Sequence, residues 1–488
     1  MRAAALLLLA LAGPAAAEVR FEPVAVPPHA YAGGWEHFVG GGLAAFDCDG
    51  DALPELLAAG GAEPMTLLLN RGAMRFEAGA FPEIRGATGA YALDLDGDGP
   101  LDLVVLRVGP NQTLRGDGAC GFAAHDFGVP DGGEAWTTAF SATWEAGADR
   151  PTLAFGNYVD RADPAGPFGA CDENLLLRPE GAGWRATTLA PGFCALSMLF
   201  SDEDRDGAVT LRISNDRHYY VRGGAEQMWS LAEGRFLGPE DGFAAPSIWG
   251  MGIASRDVTG DGRPDLALTS MGDQLLLLST PGGHVPAPYS MGAAATRPHA
   301  GGDGRPSTGW HAAWGDVDAD GDADLFIAKG NVDQMPDMAM ADPNNLLIAE
   351  GGAFREASVE AGVASMHRAR GAALADFDGD GRLDLAVVNR RAPLEVWRNV
   401  TEGGRSVTVA LDQGGGNARA VGAWVELRAA GTVQVQEVTV GGGHAGGVAG
   451  PLHFGIGDAG AAEIRVRWPD GAVGPWRTVA PGAVTVAR

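Results

Sequence analysis

The chain has 488 residues, 46% hydrophobic and 20% charged, with 62 acidic against 35 basic side chains and a formal charge of −27. That surplus of acid excludes a basic nucleic-acid-binding surface and points to solubility or cation binding. The 75 glycines and 30 prolines show no Gly-X-Y period; with ample apolar residues they predict many short strands joined by tight turns.

Residues 1–17 have the form of a secretory signal: Arg2, an apolar run Ala3–Ala12 too short to span a bilayer, and Ala15-Ala16-Ala17 as a small-residue cleavage site. The mature chain is expected to start near Glu18 and to be secreted or periplasmic. No later run of about 18 apolar residues predicts an integral membrane segment.

One acidic pattern then recurs: Asp at positions 1, 3 and 5, usually Gly at 6, an acid at 9, then Leu. Copies begin at Asp47, Asp94, Asp202, Asp257, Asp316 and Asp376, with an acid-poor copy at Trp144 in the middle of the longest gap, which makes seven. Each repeat offers a small-residue run, the acidic loop, a β-prone run, a second apolar run and a Phe- or Trp-led strand. Four strands in about 55 residues is the unit of a β-propeller blade. Gly42, Gly89, Ala139, Ser197, Gly252 and Gly371 share one position of the innermost strand, where blades crowd the axis; His311 is the exception. The last repeat shows no fourth strand after Asn399. Arg20–Pro27 is expected to supply it by pairing near Leu394–Arg398, which removes an open edge. The expected architecture is all-β: a seven-bladed β-propeller over 18–400 and a small β-sandwich-like domain over 401–488.

The loop spacing converges hard oxygen ligands in the number that suits Ca²⁺. The missing Glu at position 12 and the missing flanking helices exclude an EF-hand. About five calcium sites are expected. Their ligands are Asp47, Asp49, Asp51 and Glu55; Asp94, Asp96, Asp98 and Asp102; Asp257, Thr259, Asp261 and Asp265; Asp316, Asp318, Asp320 and Asp324; and Asp376, Asp378, Asp380 and Asp384. The loop of Asp202, Asp204 and Asp206 is incomplete, because Thr210 stands at position 9, and the Trp144 copy should be empty. Cys171 precedes the third strand of its repeat and Cys194 follows the fourth, on one face, so they are expected to form a disulfide. Cys48 and Cys120 also share a face, and their pairing stays open.

These repeats resemble the FG-GAP/VCBS repeats of the cartilage-acidic-protein-like family. The tail, with RAVGAWVELRAAG, VQEVTVGGG, PLHFGIGD and IRVRWPDG between Arg419 and Gly471, resembles its ASPIC/UnbV domain. It departs at GHAGGVAGP, which lacks that domain's Ser-Gln-containing turn. The resemblance implies an integrin-α-like propeller with structural Ca²⁺ outside the cytoplasm, and no established reaction.

Long second-to-third loops carry Tyr158, His218, Tyr219 and Tyr220, while Trp249, Trp310 and His311 stand by inner strands. Together they are the candidate ligand-binding mouth. Met335, Met338 and Met340 read as loop packing before a Cu(I) cluster. Gly441-x-Gly443-x-x-Gly446 matches a dinucleotide fingerprint by letters only, in a strand-rich tail. No hydrolase, zinc-protease or P-loop motif occurs. The expected function is adhesion or recognition of an extracellular protein or glycan. The alternatives are a carbohydrate-active enzyme such as a polysaccharide lyase, and a purely structural assembly protein.

Overall fold

A computed structural model describes residues 18–488 except 165, 168, 217–223 and 295; the signal segment 1–17 and His218, Tyr219 and Tyr220 lie outside the described residues. The small-residue runs ahead of the acidic loops become strands: Leu43–Phe46, Ala87–Leu93, Thr137–Thr143, Ala195–Ser201, Gly250–Arg256, Gly309–Gly315 and Arg368–Ala375. Nearly every residue in them is buried, so they read as continuous runs and not as apolar-polar alternation.

Each strand turns through its loop and returns antiparallel, in the same register every time. Phe46 faces Glu55, Leu93 faces Asp102, Thr143 faces Thr152 and Ser201 faces Thr210. Arg256 faces Asp265, Gly315 faces Asp324 and Ala375 faces Asp384. The residue at loop position 9 is therefore the first residue of the second strand. Among the described residues, seven such four-stranded sheets are built before residue 400, and Val448–Ala449 adds a short fifth strand to one of them. In the last of them the outer place belongs to Phe21–Val24, which pairs with Glu395–Asn399 from Phe21 opposite Asn399 to Val24 opposite Val396. Innermost strands pack on their neighbours in sequence order, and Arg368–Ala375 packs on Leu43–Phe46.

After residue 400 the pattern changes. Arg405–Asp412 pairs antiparallel with Leu452–Gly457 and parallel with Gly482–Ala487. Trp424–Ala429 lies between Thr432–Glu437 and Ala462–Arg467, with Arg477–Val479 outside. These two sheets share an apolar core that includes Val407, Val425, Leu427, Phe454 and Ile464. Two disulfides join Cys48 to Cys120 and Cys171 to Cys194, with Cα separations of 4.9 and 4.8 Å. No helix among the described residues is long and apolar enough to cross a membrane.

Candidate metal loops and the axial hairpin

The acidic loops are shaped by their own backbone. In the last loop, Asp376 accepts N–H groups from Gly379 and Gly381, both at 2.8 Å. The first residue of each other acidic loop does the same with the amides that follow it, as Asp94 does with Gly97 and Gly99. Glycine at these places takes a positive φ, 74° at Gly379 and 87° at Gly381, which lets the turn wrap its own carboxylate. Four loops bring three carboxylate oxygens within 4.8 Å of one another: Asp47, Asp49 and Glu55; Asp94, Asp96 and Asp102; Asp316, Asp318 and Asp320; Asp376, Asp378 and Asp384. These groups could hold a metal ion. Oδ1 of Asp318 and Oδ1 of Asp378 are buried without a hydrogen-bond partner, a costly state for a carboxylate that a cation relieves.

Asp51, Asp98 and Asp380, expected ligands at position 5, are exposed and stand outside these triples, and the buried Asp324 stands outside them too. The Asp257 loop and the Asp202 loop form no such triple. In the former, Thr259 stands where the other loops have a second carboxylate, and Asp265 accepts the amides of Val258, Thr259 and Ser279. The triple of Cys48, Cys120 and Glu55 is no thiolate site, because both sulfurs are spent in the disulfide.

The position-9 acid has a second duty that the spacing did not reveal. Asp384 accepts Phe377 N–H at 2.9 Å on one oxygen and Asn399 N–H at 2.8 Å on the other. Asp324 does the same with Val317 and Ala349, and Asp102 with Leu95 and Gly116. Each fastens its loop to the third strand of its own sheet. Burial, with neighbouring carboxylates adding to it, pushes Asp102 up to about 7 and Asp384 up to about 8.

Among the described residues, the aromatic ones expected to line a mouth, Tyr158, Trp249 and Trp310, pack instead into a cluster. Tyr158 and Trp310 are fully buried with Trp136, and Trp249 is half-buried against them. Phe38, Trp136 and Tyr158 meet edge to face. Met335 and Met338 join the same cluster, so their thioethers serve packing.

His311 has a different partner. Residues 438–449 leave the C-terminal sheets and run among the innermost strands of the seven sheets. Ala142 bridges to Val440, Leu199 to Gly441 and Ile253 to Gly443, and Ala45 and Phe46 pair in parallel with Val448 and Ala449. His444 is fully buried at the tip. Its backbone N–H donates to His311 Nδ1 at 3.0 Å, its Nε2 accepts Gly40 N–H at 3.2 Å, and its Nδ1 donates to Met251 O at 3.0 Å. A Cβ built on Gly42 or Gly89 would stand 1.8 Å from the carbonyl oxygen of Ala445. The small inner positions read from the sequence thus make room for this hairpin as well as for one another. The Gly441–Gly446 run, which matches a nucleotide motif by letters, is the hairpin itself. Its signal was available only as an unexplained glycine cluster.

No curated protein sequence matches the chain. Propeller-like solved structures resemble it at low identity. BBS1N in complex with ARL6DN is 11% identical over 78% of this chain and 97% of that one, with a TM-score of 0.47. YCF48 bound to a D1 peptide is 11% identical over 79% and 99%, TM-score 0.42. An Agrocybe aegerita lectin that recognises non-reducing terminal N-acetylglucosamine is 15% identical over 71% and 88%, TM-score 0.40. The chain carries FG-GAP-like repeats, matched over residues 47–105 and 331–387, and an ASPIC and UnbV domain, matched over residues 413–487.

Proposed function

We propose that the mature chain is a secreted or periplasmic, calcium-stabilised recognition module of the cartilage-acidic-protein-like kind. In this reading residues 18–400 form a seven-bladed propeller closed by the N-terminal strand, residues 401–488 form a small β-sandwich-like domain, and an extracellular protein or glycan is the partner. The calcium reading rests on the four carboxylate triples and their two unpartnered buried oxygens; oxygen-only donors in this density favour Ca²⁺ over softer metals.

The recognition reading rests on Trp35. It is 50% exposed, backed edge-on by Trp136 at 5.1 Å. It borders a shallow depression of about 460 Å³ with Glu36, Glu134, Asp160 and Arg161. An exposed indole on a rigid backing beside charged groups is the usual anchor of a binding surface. The test is calorimetric calcium titration of the mature protein, followed by a glycan array and an array of co-secreted proteins. Saturable calcium binding and a ligand lost in Trp35→Ala are expected. Absence of calcium binding overturns the first reading. Binding indifferent to Trp35, or turnover of a polysaccharide, overturns the second.

A further inference from the structure

Between the acidic loops and the C-terminal sheets lies a cavity of about 770 Å³, within the range of small-molecule sites. Arg256 lines it. The equivalent residue ahead of the other loops is Phe46, Leu93, Thr143, Ser201, Gly315 or Ala375, so this innermost strand alone ends in a charge. Arg256 is 7% exposed and its guanidinium sits 5.7 Å from the Phe454 ring centroid. Among the described residues no carboxylate pairs with it and no hydrogen bond holds its side chain. Asp257, Asp316 and Asp324 act on it only from a longer range, and their oxygens already accept backbone amides.

His453, 8% exposed, lines the same cavity. Its Nε2 lies 2.9 Å from Gly381 O. A carbonyl only accepts, so in the neutral ring Nε2 carries the proton and Nδ1 is a bare acceptor. That Nδ1 has no partner. The cavity therefore offers an unpaired buried cation with several donors, while the His453 Nδ1 beside it is itself buried and not open to a ligand.

We propose that this cavity binds a small organic carboxylate of about the size of a sugar acid. Its carboxylate rests on Arg256, which suits planar two-oxygen groups. The cavity is bordered by Asp51, Asp257, Asp376 and Asp380 of the cation loops but is separate from the Trp35 surface, so its failure leaves the recognition reading untouched.

The test is titration calorimetry of the intact mature protein in calcium-containing buffer with D-glucuronate, its uncharged methyl ester and D-glucose. One glucuronate per chain is expected, with the ester and glucose about tenfold weaker or more, the usual worth of a charge-assisted hydrogen bond. Arg256→Gln should lose the same factor, Arg256→Lys should recover part of it, and Trp35→Ala should bind glucuronate as the wild type does. No glucuronate binding at millimolar concentration, equal binding of acid and ester, or loss of glucuronate binding in Trp35→Ala overturns the proposal. The acid-ester comparison uses the wild-type chain and decides the matter even if Arg256→Gln does not fold.

Discussion

Asp378 and Asp384 belong to one acidic loop and carry different duties. Asp384 is fully buried and both its oxygens accept backbone N–H groups, so it is part of the sheet whatever ion is present. Asp378 keeps one buried oxygen without a partner and pairs the other with Arg398 at 2.7 Å. Asp384→Ala should lower stability by roughly 1–3 kcal/mol with or without calcium, since it orphans two buried amides. Asp378→Ala should leave the chelated protein nearly unchanged and remove one site's share of the calcium response. For extracellular affinities at about 1 mM calcium that share is about 0.4–1.4 kcal/mol. Asp149→Ala, in the acid-poor loop, should change neither. Melting curves with calcium and with chelator separate the three. The hairpin can be probed the same way. Gly89→Ala drives a methyl into Ala445 O, while a Cβ on Gly460 meets no atom within 4 Å. Gly89→Ala should cost about 1–3 kcal/mol, and Gly460→Ala should melt with the wild type.

At the scale of elements, the N-terminal strand holds the last sheet shut. Phe21 and Val19 are buried with Trp397, Leu385 and Phe326, and Arg20 N–H donates to Thr401 Oγ1 at 3.0 Å. A chain beginning at Trp35 loses this strand and bares the Glu395–Asn399 edge, so it should melt lower and aggregate. If it melts and stays monomeric like the mature protein, the strand is dispensable. This strand could be read from sequence because the repeat is strongly periodic and its last copy lacks one member. The acidic loops were legible for the same reason, and so was the Cys171–Cys194 pair, since both cysteines sit at fixed places of one repeat. The duty of the position-9 acid was not. Spacing shows which residues recur, and cannot show that Asp384 reaches Asn399 N–H across the sheet. The hairpin was hidden more completely. It has no apolar period, and its partners lie 133 residues away at His311 and 404 away at Gly40. Tyr158, Trp249 and Trp310 pack inward, which sequence did not show because an exposed ring and a packed one look alike there.

For the whole molecule, the C-terminal sheets and the seven repeat sheets are interlocked. Gly404 and Gly457 donate to the Asp316 loop, Ser406 and His453 contact Gly381 O, and Arg467 donates to Arg205 O. The hairpin adds a deeper tie through His311 and His444. Burial, helped by their mutual proximity, holds His311 down at about 3; burial, with Arg370 nearby, holds His444 down at about 4. Both are far below the ordinary 6.5. The unfolded chain therefore takes up protons that the folded chain refuses as pH falls below about 6.5. The stabilising contribution is complete above that value and fades as pH drops toward about 4, by roughly 1–2 kcal/mol per histidine at pH 5. Carboxylates raised by burial, Glu55 and Asp384 among them, respond with the opposite sign, so the wild-type profile alone is ambiguous. The difference between wild type and His444→Gln cancels them. His444→Gln should be less stable at pH 7.5, because it disturbs the bonds to Gly40 and Met251. Its melting temperature should then fall less than that of the wild type on going to pH 5, so the two curves converge. Parallel curves would mean that His444 is protonated in the folded state, and that the hairpin tip is open to water and not sealed among the inner strands.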